Sequence, residues 1–314
     1  MPTAVIPPMN PTDRRRRTAL FHFIRLQLPE LIFTRERFDA NLARTFGLYL
    51  PKCETPVLWI DYLDGLYALD WAVCFACLEG QESGWDALFA ARTGRGDALL
   101  VDALRMRAAR LYPRNAEQQE TAVSEFWSHL LAADTAGSEP VLARYDGRRP
   151  LTPWLIRVFQ NRHLSKLRVN SPTVALPDDE LALPVPGRTT EEIRWHDAFA
   201  DSARDWLDGL ADDDRLLLGL RWRYRLSQRD AAKIIGLHEG TLTRRTDKLR
   251  DQALETIGTA LTAAGWTGDD LESLILTELG GLLADDPRLS AVHLAALLRE
   301  RGMTVPVITP PDSD

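Results

Sequence analysis

Residues 226–245, LSQRDAAKIIGLHEGTLTRR, are compatible with very few backbones. Ser227 followed three residues later by Asp230 is an N-terminal capping pair, and it opens a helix of about two turns. Ala232, Gly236 and Leu242 then stand at the offsets of a helix-turn-helix. The first is a small residue where two helices approach, the second a glycine for a left-handed turn, the third an apolar residue that packs the second helix back. The second helix is expected over about 239–252. Leu242, Thr246, Leu249 and Ala253 share one of its faces, which leaves Thr243, Arg244, Arg245, Lys248 and Arg250 on the wider outer surface.

Across 221–250 there are nine Lys/Arg against three Asp/Glu, a local +6 in a chain whose net charge is −7. A positive island on an acidic protein attracts phosphates. Charge alone would equally describe a solvated helix of an ordinary bundle. The cap, the turn glycine, the packing positions and the charge agree on one structure, and that agreement favours DNA. A second island lies at 144–168, with seven Lys/Arg against one Asp, again +6. Trp154, Leu155, Val158, Phe159 and Leu164 make an apolar stripe on a helix there, and Arg157, Asn161, Arg162, Lys166 and Arg168 project elsewhere. Arginine and lysine attract phosphate, asparagine can pair with a base edge, and aromatic rings can stack on unpaired bases. Helix core is the simpler place for Trp154 and for Phe159; Asn161 divides evenly between a solvent-facing amide and a nucleic-acid contact.

The rest of the composition is restrictive mainly by exclusion. A chain of 314 residues, 45% hydrophobic and 26% charged, suits two or three globular domains. No apolar run reaches the roughly 18–20 residues of a membrane span. The segment MPTAVIPPMNPTDRRRR has its charges after its weakly apolar part, the wrong order for a signal peptide, so a cytoplasmic location is expected. The three cysteines, Cys53, Cys74 and Cys77, cannot build a disulfide framework. Cys74 and Cys77 have the spacing of a metal or redox pair, but they sit in an apolar stretch without a second pair to complete a tetrahedral site, so buried thiols on a helix are expected. The six histidines are scattered, and neither a phosphate-cradling loop nor a nucleophile elbow occurs. No catalysis, cofactor or metal is expected.

The periodicity is helical nearly everywhere, and the expected fold is all-α: two small helical domains joined by a Pro-rich linker, the second a helix-turn-helix, followed by a helical C-terminal extension. Residues 1–18 read as a disordered basic arm ending in Arg14–Arg17. Helices are expected at about 34–50, 57–78, 85–92, 96–112, 116–133 and 153–168. The stretch 171–188, SPTVALPDDELALPVPGR, has four prolines and no helical face, so it reads as linker. Helices resume at 190–210 and 212–224. Residues 259–314 carry nine Asp/Glu and three Lys/Arg, and two amphipathic helices are expected at about 268–284 and 290–302. This acidic tail folds over a basic surface to mask it, binds a partner, or packs as a small helical cap on the second domain. The resulting divisions are 1–68, 69–170, 171–189, 190–258 and 259–314.

In this order the segments resemble RNA polymerase sigma factors of the sigma-70 family, in the compact extracytoplasmic-function form. The matching runs are LEGQESGWDALF (78–89), AVSEFWSHLL (122–131), ARYDGRRPLTPWLIRVFQNRHLSKLR (143–168) and LSQRDAAKIIGLHEGTLTRR (226–245). With their neighbouring segments they cover about half the chain; residues 1–65 and the acidic tail lie outside the likeness. The resemblance implies a promoter-specificity subunit without chemistry of its own. The helix around Val123, Glu125, Phe126 and Trp127 would dock on the clamp of core RNA polymerase. The 144–168 island, through Arg148, Arg149, Trp154, Arg157, Asn161, Arg162, Lys166 and Arg168, would open the minus-10 element and capture a flipped base. The second helix of the helix-turn-helix, through Thr241, Thr243, Arg244, Arg245 and Lys248, would read the minus-35 element in the major groove. An anti-sigma or other regulatory protein is a further implied partner. Three positions depart from the family pattern: Ser124 stands where many members carry Gln, Thr246 where an apolar residue is usual, and His238 at a cap where Ser is commoner. A stand-alone helix-turn-helix regulator is the alternative, and it leaves 122–131 and 144–168 without a purpose. An enzyme with a DNA-binding appendage has no motif behind it.

Overall fold

A computed structural model describes residues 6–93, 98–133, 139–170 (of 167–170, the backbone only) and 190–302. Fourteen α-helices and no strand occur among the described residues, so the fold is all-α. The chain divides into two compact units, one of 1–16 with 27–189 and the other of 17–26 with 190–314. The expected linker lies entirely outside the described residues. Residues 27–68 fall in the same unit as 69–170, and the tail in the same unit as the helix-turn-helix.

The first helix corrects the expected disordered arm. α1 runs Pro11–Gln27. Asn10 Oδ1 accepts from Asp13 N (2.8 Å) while Asp13 Oδ2 accepts from Asn10 N (2.9 Å), a reciprocal cap with proline at the first helical position. The unit boundary falls inside α1, after Arg16.

In the first unit α2 (Arg35–Tyr49), α3 (Trp59–Asp64) and α4 (Ala68–Leu78) share an aromatic core. Phe46 lies 4.2 Å from Trp59 and 4.9 Å from Tyr62, and Phe38 meets Trp71 edge-on at 5.3 Å. The single helix expected over 57–78 is two, broken at 65–67. The physical reason is a distant arginine. Arg148 Nη1 donates to the carbonyls of Asp61 (3.0 Å) and Tyr62 (3.2 Å), groups that a helix end leaves unsatisfied. Its guanidinium occupies the space a Cβ on residue 65 would need, so a larger residue there would displace the arginine from α3. α5 (Glu82–Ala90), α6 (Leu100–Leu111), α7 (Ala116–Leu131) and α8 (Leu151–Asn170) follow. Asp70 on α4 caps α8 by accepting from Leu151 N at 2.7 Å.

The second unit contains α9 (Thr190–Asp208), α10 (Asp212–Leu218), a π turn (Gly219–Arg223), α11 (Gln228–Ile235), α12 (Glu239–Ala263), α13 (Leu271–Asp285) and α14 (Ala291–Glu300). α12 continues well past the expected end at 252, because Leu249, Ala253, Ile257 and Leu261 carry one buried stripe through its second half. Trp195 and Phe199 of α9, Trp266, and Leu274, Ile275 and Leu279 of α13 join that core, with Trp195 and Trp266 edge-to-face at 5.3 Å. Residues 266–279 therefore contribute side chains to the unit's interior. Residues 17–26 belong here too: Leu20, Phe23 and Ile24 are buried, and His22 and Arg25 bond Asp270 at 2.8 and 2.9 Å.

His163, on the inner side of α8, is 2% exposed and hydrogen-bonded to the Tyr112 hydroxyl at 2.8 Å. Burial, and then the charges of Lys166 and Arg162, push its pKa down from 6.5 to about 4. The unfolded chain binds the proton between those values, so stability is complete above pH 6.5 and is lost as pH falls toward 4. About 2–3 kcal/mol of acid sensitivity should come from this residue. Urea unfolding between pH 7.5 and 4.5 should show a shallower pH slope for His163→Gln than for the native chain; parallel slopes would contradict the assignment.

Candidate nucleic-acid interface

The helix-turn-helix is built by local chemistry. Ser227 Oγ accepts from Asp230 N at 3.1 Å and donates to Asp230 Oδ2 at 2.6 Å, opening α11. Gly236 ends α11 with φ +73°, a left-handed conformation that costs a residue with a Cβ about 1–2 kcal/mol. His238 caps α12, its Nδ1 accepting from Gly240 N at 3.2 Å. Leu242, Leu249 and Ala253 are buried as expected, and Thr246 is half-buried with its hydroxyl donating to Leu242 O at 2.9 Å. Thr241, Arg244 and Lys248, at spacings of three and four, form one exposed face, and neither cation pairs with a described side chain. Thr243 is half-buried and its hydroxyl returns to Glu239 O at 3.0 Å.

Arg245 is a correction. It is 29% exposed and bonds Asp214 (2.6 Å) and Asp213 (3.6 Å) in the first turn of α10. One residue on from Arg244 is a turn of about 100° around the helix, enough to move a side chain from the outer face to the flank of a neighbouring helix. Its charge is spent inside the unit.

On α8 the stripe separates as the periodicity requires. Phe159 is fully buried, edge-on to Phe126 of α7 at 5.3 Å, and Trp154 is half-buried against Tyr145 at 5.2 Å. Arg157 and Asn161, one turn apart, are exposed and make no side-chain hydrogen bond or ion pair among the described residues. Arg162 is half-buried; Lys166 is exposed and lies 3.2 Å from Glu125. An ion pair exposed to this degree contributes little and opens readily. Arg149 is half-buried, with its carbonyl accepting from the Tyr145 hydroxyl. The side chain of Arg168 lies outside the described residues. Arg148 is a second correction: besides capping α3 it lies 4.9 Å above the Tyr49 ring, so it shapes the turn before α8 and is not presented to a ligand.

Two of the four expected docking residues on α7 are interior. Val123 and Phe126 are 5% and 0% exposed, because they lie on the apolar side of α7, which packs chiefly on α6 and through Phe126 meets Phe159 of α8. Glu125 is exposed, and Trp127 is half-buried with its ring 5.0 Å from Phe89 of α5. The outer side of α7 is instead Glu117, Glu120, Ser124, Trp127 and Leu131, a heptad-spaced stripe that the family motif did not single out but the spacing contains.

Cys74 and Cys77 are buried in α4; burial pushes both thiols up, Cys77 to about 12, so both stay protonated near neutral pH. No group of side chains suited to a metal ion occurs among the described residues, and no helix among them is long and apolar enough to cross a membrane. The acidic tail leaves Thr241, Arg244 and Lys248 exposed. Two of its carboxylates are engaged within their own unit: Asp270 with His22 and Arg25, Asp286 with Arg288 at 2.8 Å. As far as Gly302, where the described residues end, the tail packs as a cap. Comparison with protein-family models, curated proteins and solved structures returns no significant match.

The contrast between neighbours is measurable. Arg245→Ala should destabilise the chain by about 1 kcal/mol by leaving the part-buried Asp214 carboxylate without its arginine, Asp213 keeping Arg301, whereas Arg244→Ala should stay within about 0.5 kcal/mol of native. Guanidinium unfolding midpoints of the full chain decide it, and equal losses would mean both arginines are structural.

Proposed function

We propose that the chain is a promoter-specificity subunit of RNA polymerase, of the sigma-70 kind that its motifs resemble. One observation carries this reading. Two separate helical units each hold a basic helix by its apolar face and leave a polar, unpaired face outside: Thr241, Arg244 and Lys248 on α12, Arg157 and Asn161 on α8. A helix locked by packing costs little to present to DNA, and a side chain with no internal partner has none to lose.

In this reading α12 enters the major groove of the upstream promoter element, where Arg244 takes a guanine edge or phosphate and Lys248 a phosphate. α8 meets the downstream element, with Arg157 on the backbone and Asn161 on the edge of an unstacked base. The stripe of Glu117, Glu120, Ser124, Trp127 and Leu131 on α7 docks on a basic helical surface of the polymerase clamp, with acids at one end and apolar groups at the other. Glu125 helps by releasing Lys166.

Run-off transcription with purified core polymerase, with and without the protein, tests the proposal. A new start site is expected; no polymerase binding and no new start would end it. Arg244→Glu should lose binding to the upstream duplex and keep polymerase binding. Arg157→Ala with Asn161→Ala should lower permanganate reactivity of thymines near the start site severalfold while leaving duplex binding near native.

A further inference from the structure

Among the described residues two that are not glycine have a positive φ, Arg114 at +68° and Arg225 at +51°. Arg114 sits in the short turn between α6 and α7. Arg225 sits at the entrance to the helix-turn-helix, inside the +6 island of 221–250. A left-handed backbone suits glycine and, less well, asparagine; a long side chain there is strained.

The turn around Arg225 cannot relax easily. Tyr224 N donates to Gly219 O and Leu226 N to Leu220 O, both at 3.0 Å. Arg221 donates to Leu226 O, and Arg223 to the carbonyl of Asp286, itself almost wholly buried. Three arginines thus alternate along one turn with different employment. Arg221 and Arg223 tie it down from inside, while Arg225 is exposed with no hydrogen bond or ion pair to a described residue. The first turn of α11 adds Arg229, also exposed and without such a partner. The nearest acid in sequence, Asp230, is engaged by Ser227 at 2.6 Å and approached by Lys233 at 4.0 Å.

The Arg225 side chain makes no hydrogen bond or ion pair with a described residue, and its backbone conformation is one that glycine would adopt without strain. We infer that Arg225 is a contact for the phosphate backbone of duplex DNA, held beside α11 with Arg229. The helix preceding the recognition helix is the one that crosses the duplex backbone in this motif, and phosphate contacts position a protein without reading sequence. The inference rests on the reading that this helix-turn-helix binds DNA.

The test is equilibrium binding of the full chain to a mixed-sequence duplex of about 30 base pairs, between about 50 and 200 mM salt, with thermal unfolding alongside. Arg225→Asn should bind roughly threefold to tenfold more weakly at low salt, with the slope of log K against log salt reduced by about 0.9, the loss of one counterion-releasing contact. Its Tm should equal or exceed the native value by a few degrees, since the strain is removed. Arg225→Lys should keep the native slope. Unchanged affinity and slope in Arg225→Asn would overturn the contact while leaving the DNA-binding reading intact; no binding by the native chain would overturn both. A lower Tm for Arg225→Asn would show that the side chain serves the fold. Native-like DNA binding by Arg225→Asn together with lost binding to core polymerase, measured on the same variant, would overturn the contact and assign the guanidinium to a protein partner.

Discussion

A helix ends with carbonyl groups that nothing inside it can satisfy, and a chain of short helices has many such ends. Arginine meets this demand repeatedly here. Arg148 closes α3 through the carbonyls of Asp61 and Tyr62, and Arg215 closes α9 through those of Leu207 and Asp208. Arg223 reaches the carbonyl of Asp286 at the end of α13, while Arg44 and Arg221 reach those of Ala143 and Leu226 in connecting turns. A guanidinium is suited to this work because it carries several donors on one rigid plane and stays charged in every setting. The break between α3 and α4, the turn that leads into α8 and the turn that leads into α11 all depend on these bonds.

This use of arginine changes the meaning of the two basic islands. Their charge is real, but it has two destinations. Arg148, Arg221, Arg223 and Arg245 are committed to carbonyls and carboxylates of the fold, whereas Arg157, Arg225, Arg229, Arg244 and Lys248 stand exposed and unpaired among the described residues. The field that attracts a polyanion is the sum of both sets, while contact chemistry belongs to the second alone. The acidic groups divide in the same way. Asp213 and Asp214 hold Arg245 in place, and Asp270 holds His22 and Arg25.

Local signals were legible to different depths. Ser227, Asp230, Gly236, His238 and Leu242 state the helix-turn-helix within twenty residues, since every interaction that makes it is short-range. The start of α1 was equally local: Asn10, Pro11 and Asp13 are a cap, a first-position proline and a third-position acid. Proline content and the Arg14–Arg17 run obscured it, and composition is a poor guide where position carries the signal. The division of α3 from α4 was not legible, because the group that enforces it lies more than eighty residues away. Nor was the length of α12, whose second half is stabilised by α9 and α13 rather than by its own propensity.

The amino-acid sequence by itself determined the all-α class, the helix-turn-helix with its cap and glycine, the buried faces of α8 and α12, and the burial of Cys74 and Cys77. These follow from periodicity and from bonds spanning a few residues. Only the tertiary structure decided which side chains of a polar face remain outside. Val123 and Phe126 went to the interior, Arg148 and Arg245 to partners inside the fold, and Arg244, Arg157 and Asn161 stayed in solvent. The reason is geometric. Periodicity tells which residues share a helix face, but whether a neighbouring helix offers a carbonyl, a carboxylate or open water to that face is settled by segments far away in the chain.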